Sequence, residues 1–147
     1  VGGLSARSWN HVEIIFPYTV FGILIAFIGA RYLNVLALGD ETAKSLGLRV
    51  ELVRLFFTAL AALLAASAVS VVGLLGFVGL IVPHAARLII GSDHNFMLPA
   101  TALLGIATVT ISDTFARTIV APIELPVGIV MAVVGAPFFL FLLRKEL

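Results

Sequence analysis

Long uncharged apolar stretches alternate with short charged ones along this chain. The first apolar stretch covers residues 14–30 and ends at Arg31. A helix needs about 20 apolar residues to cross the hydrocarbon core of a bilayer. Two further stretches of similar length cover residues 97–116, where Asp113 is the one charged residue, and 125–143. The pattern therefore predicts an all-α membrane protein with spans at these three positions.

A fourth apolar stretch, residues 55–86, is too long for one span. It carries no formally charged side chain, and as a single helix it would be about 48 Å long against a core of roughly 30 Å. Its sequence GLLGFVG contains three glycines, which weaken helices: Gly73, Gly76 and Gly79. We expect a break there between a span over 55–72 and a shorter return over 77–90, which makes five membrane segments.

The overall composition agrees with a bilayer environment. Hydrophobic residues make up 61% of the chain and charged residues 12%, where soluble domains carry about 25% charged residues; the mean hydropathy is +1.19. The net charge is only +1 and the basic residues are scattered, so nucleic-acid binding is not expected. The absence of cysteine excludes disulfides, thiolate metal sites and cysteine nucleophiles.

The placement of basic residues indicates the orientation, because cytoplasmic loops collect lysine and arginine. With five segments, seven basic residues fall on one side: Arg31, Lys44, Arg49, Arg54, Arg87, Arg144 and Lys145. Arg7 and Arg117 fall on the other side, whereas a single helix over 55–86 would give a split of five to four. We therefore place residues 34–50 and the C-terminus in the cytoplasm, and the sequences VGGLSARSW and APIELP outside.

A short helix is predicted within the charged segment between the first two spans. It would run from Asp40 to Leu46, with acidic residues in its first turn and Gly47 as its stop. Asp40 and Lys44 have the i,i+4 spacing of a favourable ion pair, and Ala43 and Leu46 would share an apolar side. Such a helix suits docking to a partner, and a solvated loop is the alternative.

Four stretches of this chain resemble the FecCD-type permeases of ATP-binding-cassette (ABC) importers, which carry iron chelates, haem and cobalamin. LALGDETAKSLGL resembles their cytoplasmic coupling segment, and the other three resemble their C-terminal signatures in order and spacing: GFVGLIVPHAARLIIGSDHNFMLPATALLG, SDTFARTIVAPIELPVGI and GAPFFLFLLRK. The resemblance implies the C-terminal half of a ten-helix type II importer permease. The N-terminus lacks an initiator methionine and a signal-peptide pattern, so we expect the chain to begin inside a longer protein.

The resemblance also implies partners. Residues 38–48, within the coupling segment 34–50, would lie in a groove of a cytoplasmic ATPase subunit, with these contacts: Leu38, Gly39, Asp40, Glu41, Ala43, Lys44, Leu46 and Gly47. The chain has no G-x-x-x-x-G-K-[ST] loop. We therefore expect no cofactor and no enzymatic activity in this chain, with ATP and Mg²⁺ bound by the partner.

Arg117 is similar to a family arginine that faces the external surface and binds glutamates of a substrate-binding protein. From the residues alone, an intrahelical ion pair with Asp113, one turn earlier, is the alternative. The two roles are compatible. Ser112 replaces the alanine that is usual in the family.

Further residues are expected to have structural or gating roles: Gly73, Gly76, Gly79, Pro83, Asp113, Glu124 and Pro126. Glu124 is either an outward-facing loop charge or an acceptor that ties the loop before the last span, and we favour the second. His84, Asp93 and His94 are interpreted as packing and turn residues, because a metal site needs three or four converging ligands.

Small residues recur at every fourth position in two spans: Gly128, Ala132 and Ala136 in the last, and Ala62, Ala66 and Ser70 in the second. Such faces let helix backbones approach closely. We expect both to be helix-packing seams, within one subunit or between two.

The function expected from these observations is that of a multi-pass permease subunit in the bacterial cytoplasmic (inner) membrane. Its partners would be the ATPase, an extracytoplasmic substrate-binding protein, a second permease subunit and membrane lipid. A ferric siderophore is the favoured substrate, since GGLSARSW resembles the iron-siderophore branch, and haem, cobalamin or an oxyanion are alternatives. An intramembrane enzyme is disfavoured because H-E-x-x-H and G-x-S-x-G are missing. A non-transporting scaffold remains an alternative if the chain is the whole product.

Overall fold

The computed structural model describes residue 4 and residues 7–146, and this part of the chain is helical apart from its turns. Its helices are α1 Trp9–Ile28, α2 Ala30–Ala37, α3 Asp40–Ser45, α4 Val50–Val72, α5 Val78–Ile90, α6 His94–Thr118 and α7 Val127–Glu146. The all-α class predicted from the apolar pattern is confirmed.

Four helices in the described residues are long and apolar enough to cross a membrane: α1, α4, α6 and α7. The remaining apolar helix, α5, has 13 residues, which at 1.5 Å per residue makes it about 20 Å long. It is therefore shorter than the hydrocarbon core, as a return segment after a break would be.

The break in the long apolar stretch occupies residues 73–77. Gly73 ends α4 with φ +79°, and Phe77 precedes α5 with φ +65°, so the chain turns through left-handed conformations at both ends of the break. Gly76 lies within it. Gly79, which we expected to contribute, is instead the second residue of α5, because the reversal is already complete at Phe77.

Helix α6 lies at the centre of the bundle and contacts α1, α2, α5 and α7, while α4 packs chiefly on α1. A buried cluster of Ala116, Val127 and Met131 joins α6 to α7. The apolar side chains around it come from the break, from α5, from the connection before α7 and from α7 itself: Leu75, Val78, Ile81, Leu125 and Val130. The short helix α5 is thereby held against both of its longer neighbours.

Two glycines, Gly22 within α1 and Gly29 just after its end, allow α4 to approach closely. A methyl group added at Gly22 would overlap the Leu64 side chain, and one at Gly29 would overlap the Phe57 ring. Sequence analysis did not single out this contact. The small-residue face of α4 that we expected to be a seam is exposed in this chain: Ala62, Ala66 and Ser70.

The packed face of α7 lies one residue away from the predicted one. Its buried positions are Val127, Met131 and Gly135, whereas the predicted Gly128, Ala132 and Ala136 are half-buried or exposed. Adjacent residues differ by about 100° around a helix, so the two sets face different neighbours. Phe77 packs directly on the buried face, since its Cβ and Cγ would lie 2.5 Å from a methyl carbon added at Gly135.

Candidate coupling and docking sites

Helix α3 is bounded by two glycines in left-handed conformations. Gly39 has φ +104° and Gly47 has φ +85°, a region that side chains rarely adopt. At the C-terminal end, the Gly47 N–H donates to the Lys44 carbonyl (2.9 Å) and the Leu48 N–H to the Ala43 carbonyl (3.0 Å). These two bonds form a Schellman motif, so the helix ends where Gly47 was expected to stop it.

The ion pair of α3 differs from the predicted one. Asp40 pairs with Arg54 of α4, with 2.6 Å between Oδ1 and Nη2, rather than with Lys44 one turn away. Both side chains are about half exposed, and exposed pairs contribute only about 0.2–1 kcal/mol. The pair nevertheless gives α3 a direct polar contact with α4.

The exposed apolar surface of α3 also differs from expectation. Ala43 is fully buried, while Leu38 and Leu46 are 62% and 64% exposed. Ala43 and Leu46 therefore do not share one exposed side in this chain. The exposed pair, Leu38 and Leu46, flanks the helix at its two ends, and Glu41 and Lys44 are exposed between them.

Asn34 of α2, which sequence analysis did not select, bonds to the start of α6. Its Nδ2 donates to Asp93 Oδ1 (2.7 Å), and its Oδ1 accepts the backbone N–H of His94 (2.8 Å) and lies 2.8 Å from His94 Nδ1. We call these three residues the Asn34 clamp. The available signal was a lone amide within the otherwise apolar run YLNVLAL.

Asp93, which we interpreted as a turn residue, caps the N-terminus of α6. Its Oδ1 accepts the backbone N–H of Asn95 (3.0 Å), as N-cap carboxylates commonly do. That bond, reinforced by the Asn34 amide, lowers the pKa of Asp93 below its ordinary value of 3.8. The carboxylate is therefore charged at neutral pH and available to both donors.

At the opposite end of α6, Arg117 and Asp113 form the intrahelical pair considered above. Arg117 Nε lies 2.8 Å from Asp113 Oδ2, and the Arg117 side chain remains 43% exposed. One turn of the same helix also holds Ser112, a buried residue whose hydroxyl donates to Met131 Sδ (3.0 Å). Arg117 is thus oriented by its own helix without being covered.

The other selected residues occupy simpler positions. Glu124 is exposed, and among the described residues its side chain makes no hydrogen bond that would tie the loop. Pro126 is half-buried, and its carbonyl accepts the Ile129 N–H (2.9 Å) at the start of α7. Pro83 lies inside α5. The His84 ring next to it packs edge-on against Phe138, with 6.2 Å between centroids.

Comparison with known proteins gives consistent results. The FecCD transport family matches residues 1–145. The chain is 40% identical to the uncharacterized ABC transporter permease protein YvrB of Bacillus subtilis (strain 168) over 99% of this chain, and 42% identical to the iron(3+)-hydroxamate import system permease protein FhuG of the same organism over 98%. It is 46% identical, over 99% of its length, to the cobalamin import system permease protein BtuC of Halobacterium salinarum.

A solved structure shows the same fold. An ABC transporter described as of the metal-chelate type, in an inward-facing conformation, matches 98% of this chain with a TM-score of 0.91 and 32% identity. The chain covers 48% of that structure's chain, and 41%, 43% and 39% of the three relatives above. It thus corresponds to less than half the length of the proteins it matches, and across that length it belongs to the FecCD transport family.

Proposed function

We propose that this chain is the C-terminal part of a permease subunit of an ABC importer in the bacterial cytoplasmic membrane. The observation that carries the proposal is α3, a short helix isolated by two left-handed glycines, with Leu38 and Leu46 exposed at its ends. In this proposal α3 is the coupling helix, and it receives the motion of a separate cytoplasmic ATPase subunit. ATP hydrolysis is assigned to that subunit and not to this chain.

The proposed topology has five membrane segments, with α5 as the short return after the break at residues 73–77. This topology is supported by the seven-to-two distribution of basic residues and by the 13-residue length of α5. It places α3 and the Asn34 clamp on the cytoplasmic side, and Arg117 and the 119–126 connection outside. Arg117 would then contact an acidic residue of an external substrate-binding protein, and a second permease subunit would complete the pathway.

An iron chelate, with a ferric siderophore favoured, is the proposed substrate. Supporting relatives are named as permeases for iron(3+)-hydroxamate and Fe(3+)-citrate. Half of the motif GGLSARSW, which led us to favour the siderophore branch, lies outside the described residues. A cobalamin or haem permease is the second candidate, because relatives at 46% and 41% identity carry the names cobalamin and hemin permease.

The proposal predicts that a carboxylate placed on the exposed tip of α3 uncouples transport. Leu46→Asp puts a charge into the apolar contact while leaving the spans intact, and Gly47→Pro removes the N–H that ends α3 and cannot adopt φ +85°. We expect both changes to lower uptake of a ferric hydroxamate per ATP in proteoliposomes that contain the full permease, its ATPase and its binding protein.

Lys145→Asp is the matched control for this experiment, because it places the same carboxylate at another exposed position on the same proposed side, away from α3 and the Asn34 clamp. It should leave uptake per ATP near that of the unaltered protein. Unchanged uptake per ATP in Leu46→Asp would show that α3 is a solvated loop element and not a coupling helix.

A further inference from the structure

We propose that Asn34 is a positioning residue that makes α6 follow the coupling helix, and this inference rests on the proposed function. The inference starts from the separation in sequence. Asn34 bonds to Asp93 and His94, which follow it in the chain by 59 and 60 positions. It thereby joins α2, which leads directly into α3, to the first residues of α6. No residue of α3 itself needs to contact α6 for the two to move together.

The chemistry of the clamp makes the connection directional. One amide uses its nitrogen on the Asp93 carboxylate and its oxygen on the His94 backbone N–H, so the two bonds fix both the position and the orientation of α2. The contacts to His94 are part-buried, where water competes less for the donors. A small rotation of α2 would break both bonds or else carry the start of α6 with it.

The other polar contact of this region is an exposed ion pair. Asp40 and Arg54 join α3 to α4 through an ion pair with both side chains about half exposed, which water screens. Only Leu38 and Gly39 separate α2 from α3, so displacement of α3 reaches Asn34 over a short distance. The polar connection from this segment that is part-buried therefore leads to α6.

Helix α6 is suited to carry the displacement across the molecule. It has 25 residues and is about 37 Å long, and its far end carries Asp113 and Arg117. Although Pro99 interrupts its hydrogen bonding near the start, α6 is continuous from His94 to Thr118. Held at its first residues by the Asn34 clamp, it would therefore connect the coupling helix to the proposed docking face. Coupling between distant sites requires an element whose position both sites influence. In this inference that element is α6, and the two sites are the coupling helix α3 and the docking face at Arg117.

A charge swap tests this assignment. Asn34→Asp places a carboxylate against Asp93 and removes the Nδ2 donor, so uptake of a ferric hydroxamate per ATP should fall by about fivefold or more, the lower end of ordinary coupling effects. Adding Asp93→Asn restores a donor opposite the new carboxylate and keeps a capping side chain. The double variant should therefore recover most of the lost uptake per ATP.

Asn95→Ala is the matched control. Asn95 Nδ2 also lies near Asp93 Oδ1 (3.2 Å), but this contact joins α6 only to its own N-cap residue. The Asn95 backbone N–H, which Asp93 caps, is retained in the variant. We expect uptake per ATP to be unchanged in this variant. Asn34→Leu, which removes both bonds without adding charge, should lower uptake per ATP in the same direction as Asn34→Asp.

A second readout separates positioning from stability. Spin labels at Val69 of α4 and at Ile119 after α6, both exposed, should show a nucleotide-dependent distance change that is lost in Asn34→Asp and regained in the double variant. If Asn34→Asp lowers only the melting temperature, or if the swap restores neither uptake per ATP nor the distance change, the inference is overturned. Failure of the unaltered transporter to take up any chelate with ATP would instead refute the proposed function.

Discussion

The two ends of α6 are held by different kinds of interaction. At one end Ala116 packs into a buried apolar cluster with Val127 and Met131 of α7; at the other, Asn34 forms hydrogen bonds to Asp93 and the His94 backbone. Apolar packing depends on shape over many small contacts, whereas hydrogen bonds weaken steeply as their angles change. In the proposed topology the first of these is the outer end of α6 and the second is the inner end. We therefore expect the packed outer end to move as one unit with α7, and the inner end to respond to a change in orientation.

The surroundings reinforce this difference. Lipid is as apolar as the side chains, so packed helices in a membrane depend on close van der Waals contact rather than on exclusion of water. Substitutions at the outer end should consequently cost stability, while those at the inner end should chiefly change coupling. The following predictions test the outer end, in order of decreasing effect on stability.

Met131→Ala should have the largest effect. Met131 is 1% exposed and also accepts the hydrogen bond of the buried Ser112 hydroxyl, so the change leaves a cavity and an unpaired donor. We expect a loss of about 2–5 kcal/mol in the free energy of unfolding of the detergent-solubilised permease. Val133→Ala, on an exposed face of the same helix (69%), is the control; equal losses in both variants would contradict the assignment of this packed face.

Gly135→Ala should have an intermediate effect. The added methyl group would lie 2.5 Å from Cβ and Cγ of Phe77, atoms close to a backbone already at φ +65° and therefore unable to swing away. Overpacking of this kind costs about 1–3 kcal/mol. Gly79→Ala adds the same methyl group inside α5 with no neighbour within 4 Å, so it should be tolerated. If Gly79→Ala were destabilised and Gly135→Ala were not, the close contact between Phe77 and Gly135 would be contradicted.

Arg117→Glu should have the smallest effect on stability and the most specific effect on docking. The pair with Asp113 is partly exposed, so its loss, together with the new like-charge contact at the same i,i+4 spacing, should cost about 1 kcal/mol. Affinity for the substrate-binding protein should fall, become less sensitive to salt and recover when the acidic partner is reversed in charge. Asp113→Asn, which frees Arg117 without removing it, should retain docking. Unchanged affinity together with reduced stability in Arg117→Glu would leave only the intrahelical role.

Two residue pairs with the same spacing show how far local reasoning extends. Asp113 and Arg117 form the i,i+4 ion pair that the sequence suggests, but Asp40 turns away from Lys44 to reach Arg54. Within α6 the spacing alone was a sufficient guide. Beside α3, the neighbouring helix α4 brings a second cation within reach, and spacing along one helix contains no information about it.

The sequence by itself determined the features that depend on a few neighbouring residues or on bulk composition. The all-α membrane class follows from apolar stretches of bilayer length, the break from the surplus length of residues 55–86, and the end of α3 from the left-handed conformation that Gly47 supplies.

Only the tertiary structure decided which faces meet. It buried Ala43 and made Val127, Met131 and Gly135 the packed face of α7. It also brought Asn34 into contact with Asp93 and His94, which are 59 and 60 positions away in the chain. The physical reason is that contacts between helices depend on their relative rotation and crossing. A rotation of about 100°, the step between adjacent residues, exchanges one face for another without altering any local signal.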